Sequence, residues 1–392
     1  MKSIFSMRYV LVVAVFFFIL NSVEAADLPV PPFTQKWISY LGSHVCQPIL
    51  CDSVVCFDTF PTHGAFEFGA IDLKTGKILW KKHIVGYHII METYENNRLF
   101  MVIENRGPDD ILKNKLTYTG KAEVLVLDPV SGREFLHLPI DGVGCYPIIK
   151  DSILYCVFGD DVLKSIDLFT QKTLWTITIP EAHRNVESFP LFKDVESSHS
   201  FLFRKHLKAA GSYLLVEDHN KTICVNRETG AVHWRYETGD EFWSIRADDN
   251  GEHIFQSYKR ELRSVNPRNG RLEWSVLMKS DINWETLPYR GLIFLTCSGD
   301  GMFYALQADN GKLIWKYHFS DSKNPIITRP AFQDNVLILS ADQKLVAITL
   351  SGIKLWEFDT KETRLLQDII ALKDGFLLHF TIGISRYIMK TY

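Results

Sequence analysis

The amino-acid sequence predicts an all-β protein, an eight-bladed β-propeller built from four-stranded antiparallel blades. Three observations support this fold class. Aromatic residues make up 13% of the 392 residues, with 9 tryptophans, and aromatic side chains favour strands. One sequence pattern occurs seven times, mostly at a spacing of about 40 residues, which is typical of a propeller blade. Finally, the two ends of the chain complement each other as parts of one blade.

The repeated pattern predicts the two outer strands of each blade and the turn between them. Each copy has a small residue, an aliphatic or aromatic residue, usually Asp or Asn, a turn that usually contains Gly, and a final apolar residue that is Trp in most copies. The seven copies lie at 70–80, 126–136, 165–175, 224–234, 264–274, 305–315 and 347–356. Gly and Asn or Asp accept the backbone conformations that tight turns require.

Residues 287–319 show how one complete blade is predicted. LIFLTCS is a buried strand, SGDG is a turn, MFYALQA is the next strand, and KLIWKYHF follows a second turn as the outer strand. We expect the repeated tryptophan to pack between neighbouring blades, because it is a large apolar plate. The tryptophans assigned this structural role are Trp37, Trp80, Trp175, Trp234, Trp274, Trp315 and Trp356.

The chain ends predict how the ring closes. Trp37 lies in an outer-strand pattern with nothing before it, whereas the segment after Trp356 supplies three strands without a fourth. The N-terminal strand is therefore expected to complete the C-terminal blade, which would cover both sheet edges. Eight anchors give eight blades; seven blades is the alternative if the C-terminal segment packs irregularly.

Residues 1–25 have the order of a secretory signal peptide. Lys2 and Arg8 precede an apolar run at 9–20, and small or aliphatic Val23 and Ala25 precede the expected cleavage site. The run is shorter than the roughly 20 residues that span a membrane; an uncleaved signal-anchor is the alternative. We expect residues 26–392 to form one propeller domain in the secretory pathway, outside the cell, in the lumen of the endoplasmic reticulum, or in a periplasm, without a transmembrane segment.

Composition and motifs exclude several functions and leave a few modification sites. With 43 Lys and Arg against 46 Asp and Glu, the net charge of −3 argues against nucleic-acid binding. No catalytic residue and no metal site is predicted, because no nucleophile, phosphate-loop or zinc-protease motif is present. Asn220 is a glycosylation acceptor. Cys145 and Cys156 face each other if Lys150–Asp151 forms a two-residue turn, so they are a candidate disulfide, with buried thiols as the alternative.

Two long connections and the central channel are the candidate functional regions. The connections lie at about 104–121 and 181–209; loops often carry function, although a stable ring also tolerates surface insertions. The innermost strands would line the channel with polar and aromatic residues that could bind a small anionic or quinone ligand, with a solvated lining as the alternative. These channel candidates are Glu92, Trp243, Arg246, Trp284, Glu285 and Arg329.

The segment CSGDGMFYALQADNGKLIW, at 297–315, resembles the repeat of the pyrroloquinoline-quinone-type propeller family. That family includes quinoprotein alcohol dehydrogenases, BamB-like stand-alone propellers, which this chain resembles most in size, and lumenal propellers of the endoplasmic reticulum. The resemblance covers about 37–392. The quinoprotein enzymes carry an adjacent Cys-Cys pair and a Glu/Asn/Asp calcium set, whereas this chain has no Cys-Cys dipeptide. No cofactor is therefore expected.

These observations predict a secreted or lumenal propeller that is not an enzyme and acts as a protein-interaction scaffold or assembly factor. Its protein partners would dock on one face of the ring or on strand edges. A quinone-dependent oxidoreductase is the first alternative, and a secreted protein that binds a glycan or small ligand is the second. The fold family alone does not decide between them.

Overall fold

A computed structural model describes residues 33–41, 45–46, 48–62, 65–105, 121–141, 147–158, 162–179, 206–218, 221–237, 244–248, 251–283, 286–297, 299–319, 329–341, 344–359 and 366–389. All named elements of this part of the chain are β-strands. They form eight four-stranded antiparallel sheets, the blades of an eight-bladed β-propeller. The predicted fold class is confirmed, and the seven-bladed alternative is wrong.

The blades follow one another along the chain. Blade 1 contains β2 (Ile49–Cys51), β3 (Val54–Thr62), β4 (Ala65–Asp72) and β5 (Ile78–Val85); blade 2 contains β6 (Tyr87–Glu95), β7 (Arg98–Asn105), β8 (Lys121–Leu127) and β9 (Glu134–Asp141). Blade 3 contains β10 (Ile148–Lys150), β11 (Ile153–Phe158), β12 (Val162–Asp167) and β13 (Thr173–Thr178). Blade 4 contains β14 (His206–Ala210), β15 (Tyr213–Asp218), β16 (Lys221–Asn226) and β17 (Val232–Glu237).

The second half of the chain repeats this arrangement. Blade 5 contains β18 (Ser244–Ala247), β19 (Ile254–Tyr258), β20 (Glu261–Val265) and β21 (Leu272–Leu277). Blade 6 contains β22 (Leu287–Tyr289), β23 (Leu292–Thr296), β24 (Met302–Gln307) and β25 (Leu313–His318). Blade 7 contains β26 (Ala331–Gln333), β27 (Val336–Ala341), β28 (Lys344–Thr349) and β29 (Lys354–Asp359); blade 8 contains β30 (Leu366–Leu372), β31 (Gly375–Phe380), β32 (Gly383–Met389) and β1 (Phe33–Tyr40).

Blade 8 closes the ring with the strand from the beginning of the chain. β1 pairs with β32 in a register from Phe33 opposite Met389 to Tyr40 opposite Gly383. The Phe33 ring lies 4.9 Å from the Trp356 ring and 4.8 Å from the Phe376 ring, centroid to centroid. The predicted completion of the C-terminal blade by the N-terminal strand is confirmed.

The apolar core lies between blades. The two middle strands of each blade are largely buried, whereas outer strands such as β21 and β25 alternate between exposed and half-buried residues. Apolar clusters join neighbouring blades: one packs Cys56 and Phe68 of blade 1 against Met101 and Leu125 of blade 2. Burial of apolar surface between sheets is therefore the main force that holds the blades together.

The repeated tryptophans connect each blade to the next one. Trp315 Nε1 donates a hydrogen bond to the Leu350 carbonyl of blade 7, at 2.7 Å, and its ring packs on Gly352. We call this arrangement the Trp lock. The same bond joins Trp37 to Leu73, Trp80 to Pro129, Trp175 to Arg227, Trp234 to Pro267 and Trp274 to Ala308. These tryptophans lie between blades in the structure, and Trp356 of blade 7 packs on Phe33 of blade 8 without the hydrogen bond of the Trp lock among the described contacts.

Two expectations about connections need correction. β10 pairs with β11 through Ile148 opposite Tyr155, so the turn is Asp151–Ser152 rather than Lys150–Asp151, and both turn residues have positive φ. The register that placed Cys145 opposite Cys156 is therefore wrong. Cys145 itself lies outside the described residues, so the disulfide stays a prediction.

Both long connections are shorter than the sequence predicted, because strands extend into the expected loops. The first expected loop, 104–121, begins within β7 and ends within β8, and the second, 181–209, ends within β14. The remaining residues of both loops, the signal-peptide region 1–25 and the glycosylation acceptor Asn220 lie outside the described residues.

Candidate functional site

An open cavity of about 350 Å³ lies between the innermost parts of blades 1 and 2. It combines apolar walls with two carboxyl groups and one thiol. Its lining residues are Cys46, Ile49, Asp58, Ile89, Ile90, Met91 and Glu92. A concave apolar site with a few polar groups is the usual form of a small-molecule site.

Backbone pairing places these polar groups. Cys46 donates its backbone N–H to the Asp58 carbonyl, at 3.0 Å, and an isolated bridge pairs Val45 with Thr59 beside it. Asp58 lies on β3, whose alternate residues Val54 and Cys56 face blade 2. Because side chains alternate along a strand, the Asp58 carboxyl group also faces blade 2, where Glu92 lies on β6.

The two carboxyl groups hold protons more tightly than exposed ones. Burial raises the pKa of Asp58 from 3.8 to about 6, partly offset by a hydrogen bond with the Cys46 thiol. Burial, followed by the nearby Asp58 charge, raises the pKa of Glu92 well above its ordinary value. Neither carboxyl group forms an ion pair with a lysine or arginine in the described part of the chain. A carboxyl group that titrates near neutral pH can donate or accept a proton in chemistry.

The neighbouring thiols remain protonated at neutral pH. Burial is the main cause that raises the pKa of Cys46, with Asp58 as the next cause. A hydrogen bond with Cys51 and burial raise the pKa of Cys56. Nucleophilic cysteines need a lowered pKa, so these residues behave as packing and hydrogen-bonding groups rather than as nucleophiles.

Of the predicted channel residues that the structure describes, one, Glu92, lies in this cavity. Glu92 lines it, whereas Arg246 lies half-buried on β18 and Arg329 lies exposed just before β26. Trp243, Trp284 and Glu285 lie outside the described residues. Arg246 is near Lys208, whose pKa is lowered mainly by burial, with an opposing effect from Glu217 at 3.1 Å and a further lowering by Arg246.

Sequence reasoning missed Asp58 and Cys46. The sequence signal was the alternation of side chains along β3. Asp58 comes two residues after the core residue Cys56, so both side chains lie on the same face of the strand, toward the next blade. A buried carboxylate without an adjacent basic residue would have pointed to this position.

Neither a membrane-spanning helix nor a metal-binding cluster occurs in the described residues. The described residues contain no helix long and apolar enough to cross a membrane. They also contain no group of three or more His, Cys, Asp or Glu side chains arranged to hold a metal ion. The chain lacks the Cys-Cys pair of quinoprotein enzymes, so the residues present do not fit that cofactor with its calcium ion.

Comparison with known families identifies the family to which the chain belongs. A family model described as outer membrane protein assembly factor BamB matches residues 159–285 and 259–384, more than half of the chain. The chain belongs to this BamB-like propeller family. The resemblance to the pyrroloquinoline-quinone-type repeat, predicted from residues 297–315, is confirmed.

Solved structures support the same fold. BamB from Moraxella catarrhalis superimposes with a TM-score of 0.56 at 13% identity, covering 92% of this chain and 98% of that one. The computationally designed Ika8 protein gives 0.65 at 11% identity, covering 91% and 100%. The C-terminal WD40 domain of Sif2 gives 0.61 at 7% identity, covering 93% and 99%. At these identities the likeness concerns the fold alone.

One curated relative is an enzyme. Tetrathionate hydrolase from Acidithiobacillus ferrooxidans is 23% identical over 211 residues, which is 50% of this chain and 42% of that protein. The match thus spans less than half the length of the relative.

Proposed function

We propose that this chain is a non-enzymatic interaction propeller that serves as a scaffold or assembly module. The observation that carries the proposal is the outer surface of the ring. Within the described residues, the outermost strand of each blade has a single hydrogen-bonded neighbour, and several of these strands expose apolar side chains such as Leu79, Leu174 and Ile314. Unpaired strand edges with exposed apolar residues favour addition of a strand from another protein. Membership of a family described as an assembly factor agrees with this function.

The experiment is purification from the native source, followed by reconstitution. We expect a protein partner at a fixed stoichiometry, and the same complex when the two purified components are mixed and separated by size-exclusion chromatography. A lysine on an outer edge, as in Leu174→Lys or Ile314→Lys, should weaken the complex if that edge is used. A chain that elutes alone under all conditions, without any partner that reconstitutes, contradicts the proposal.

The proposed compartment is a periplasm or the secretory pathway. Residues 1–25 have the pattern of a signal peptide, and the family is consistent with periplasmic or secreted propellers. Mass spectrometry of the mature protein should find an N-terminus at Ala26. An intact N-terminus at Met1 would contradict this proposal.

Hydrolysis in the cavity between blades 1 and 2 is the second candidate function. It is favoured by the raised pKa of Asp58 and by the match with tetrathionate hydrolase. Incubation of the purified protein with tetrathionate tests it. Consumption that falls by at least about 100-fold in Asp58→Asn, as expected for loss of an acid–base group, would support an enzyme, whereas no consumption by the wild-type protein would rule out this substrate.

A further inference from the structure

At the boundary between blades 2 and 3, an arginine of one blade lies over a phenylalanine ring of the next. No other boundary in the described residues has such a cation–π contact. The Arg98 guanidinium carbon lies 5.1 Å from the Phe135 ring centroid and 4.6 Å from the Phe169 ring centroid. The Arg133 guanidinium carbon also lies 5.1 Å from the Phe135 centroid. We call these four side chains the Arg–Phe stack. It joins the blades, because Phe169 belongs to the turn between β12 and β13 of blade 3.

The stack lies on the surface of the ring. Phe135 is 42% exposed, Phe169 is 45% exposed, and Val130, in the turn before Phe135, is 52% exposed. Val130 and Phe169 occupy the same position of the turn in neighbouring blades. The other copies of the turn have polar residues there, namely Lys74, Glu228, Arg268, Asp309 and Ser351. At this position of the turn, an apolar side chain therefore occurs in blades 2 and 3 alone among the seven copies, as expected if the position contributes to a binding site.

The two guanidinium groups are available to an anion. Within the described residues, neither Arg98 nor Arg133 forms an ion pair with a carboxylate. The nearby carboxylates have other partners: Glu95 accepts the backbone N–H groups of Asp151 and Ser152, at 2.9 and 2.5 Å. Glu134 binds Lys82 at 2.8 Å. A hydrogen bond from the Ser131 backbone is the first cause that lowers the pKa of Asp128, and Arg133 is near enough for its charge to add to this lowering. Asp128 accepts the backbone N–H groups of Val130 and Ser131 at 2.9 and 2.8 Å. The stack is thus a cationic and aromatic surface whose neighbouring carboxylates already accept other donors.

We propose that the Arg–Phe stack, together with Val130, is the docking surface for an acidic peptide segment of a protein partner. Each guanidinium group can donate two parallel hydrogen bonds to a carboxylate, and stacking on a phenyl ring holds its plane in place. The exposed rings and Val130 would cover apolar side chains next to the acidic ones. Arg and aromatic residues dominate the binding energy of protein interfaces. This inference rests on the proposed function as an interaction propeller and names its surface and partner chemistry.

The test is fluorescence anisotropy with the full chain and a labelled synthetic peptide of alternating glutamate and leucine. A peptide of alternating glutamine and leucine is the neutral control. We expect the acidic peptide to bind at least about tenfold more tightly than the neutral one, with affinity that falls as salt rises. The double variant Arg98→Gln/Arg133→Gln should lose at least about tenfold in affinity for the acidic peptide, which equals about 1.4 kcal/mol.

Matched variants separate binding from folding. Arg271→Gln, which changes the residue at the position of Arg133 in blade 5, is the control and should bind the acidic peptide as the wild-type protein does. Because Arg98 also bridges two blades, thermal unfolding of every variant is recorded, and Arg133→Gln, at an exposed position, should keep the wild-type melting temperature while weakening binding.

Three results would overturn the docking surface: equal binding of acidic and neutral peptides, unchanged binding by the double variant, or binding to phosphatidylglycerol vesicles but not to the peptide. The failure of the proposed function is a different result. If the reconstituted partner binds the double variant as well as the wild-type protein, the docking surface is wrong and the scaffold function stands. If no partner reconstitutes, the scaffold function fails, whatever the peptide shows.

Discussion

Different residues join blade 6 to blade 7 and blade 2 to blade 3. At the first boundary, Trp315 packs on Gly352 and donates a hydrogen bond to Leu350. At the second boundary, Leu136 occupies the tryptophan position and Gln171 the glycine position, with a positive φ of 57°. Glu95 and the Arg–Phe stack make the contacts across this boundary instead.

The difference shows that the tryptophan and the glycine of the repeat form a pair across blades. A Cβ atom at Gly311 would lie 2.6 Å from Trp274 Cε3, so the indole ring requires glycine in the facing turn. Where Leu136 replaces the tryptophan, that requirement is absent and Gln171 is tolerated. The same exchange leaves aromatic and cationic side chains at the surface, which links a structural departure from the repeat to a candidate binding surface.

The largest expected effect is at the boundary that depends on both chain ends. Deletion of residues 26–42 removes β1 and with it the Trp37 lock to Leu73, at 3.0 Å. We expect the melting temperature to fall sharply and unfolding to lose cooperativity, because blade 8 loses its outer strand and exposes an edge. Circular dichroism against temperature measures this. Deletion of residues 26–32 alone is the control and should have little effect; an unchanged melting temperature for the longer deletion would contradict the closure.

A second prediction compares the two boundaries directly. Trp315→Ala should reduce the free energy of unfolding by roughly 3–5 kcal/mol, the usual cost of removing a large packed aromatic side chain. Leu136→Ala, at the matching position of blade 2, should cost roughly 1–2 kcal/mol, because a half-buried leucine loses less packing. Urea unfolding gives both values. Equal losses would mean that Leu136 stabilises the boundary between blades 2 and 3 as much as Trp315 stabilises the boundary between blades 6 and 7.

Particular residues show why the fold could be predicted and the site only partly. The turns and tryptophans recur mostly at a spacing of about 40 residues, so one local pattern, seen seven times, specified the blades and the closure at Trp37. Glu92 was found because strand phasing places it on an innermost strand. The cavity at Asp58 and Cys46 and the Arg–Phe stack both depend on which side chains of neighbouring blades come into contact. The spacing of a repeat in one sequence does not specify these contacts. The turn before β11 was misplaced because Ser152 accepts a positive φ that the sequence did not reveal.

A third prediction concerns the boundary between blades 1 and 2, which has a Trp lock but encloses two carboxyl groups. The pKa of Asp58 is raised from 3.8 to about 6, so the folded chain binds its proton more tightly than the unfolded chain does. The stability from this group is complete below the unfolded pKa and is lost as the pH rises through about 6. The protein should gain about 2 kcal/mol from this group between pH 7 and pH 4, and Asp58→Asn should remove that gain.

Urea unfolding at several pH values measures this dependence, and Asp167→Asn is its control. Asp167 is the half-buried last residue of β12, where a hydrogen bond from the Thr170 backbone N–H lowers the pKa of its carboxyl group. Stability from a lowered pKa is present above the unfolded value and lost only on further acidification. Asp167→Asn should therefore leave the slope between pH 5 and pH 7 unchanged. The same slope in wild type and Asp58→Asn would place that carboxyl group in solvent.

The smallest expected effect comes from substitutions at the glycine position of the turn. This position is Gly311 where the facing residue is Trp274, and Gln171 where the facing position is Leu136. Gly311→Ala should destabilise the protein by roughly 2 kcal/mol, because alanine at a φ of +67° is strained and its Cβ meets the Trp274 ring. Gln171→Gly should have the opposite sign, from neutral to about 1 kcal/mol stabilising, since it relieves the strain of a side chain at positive φ and costs some unfolded-chain entropy. Differential scanning calorimetry resolves the signs. If both variants destabilised the protein equally, the Gln171 side chain would itself support the blade 2–3 boundary, and the pairing of tryptophan with glycine would not explain why that turn departs from the repeat.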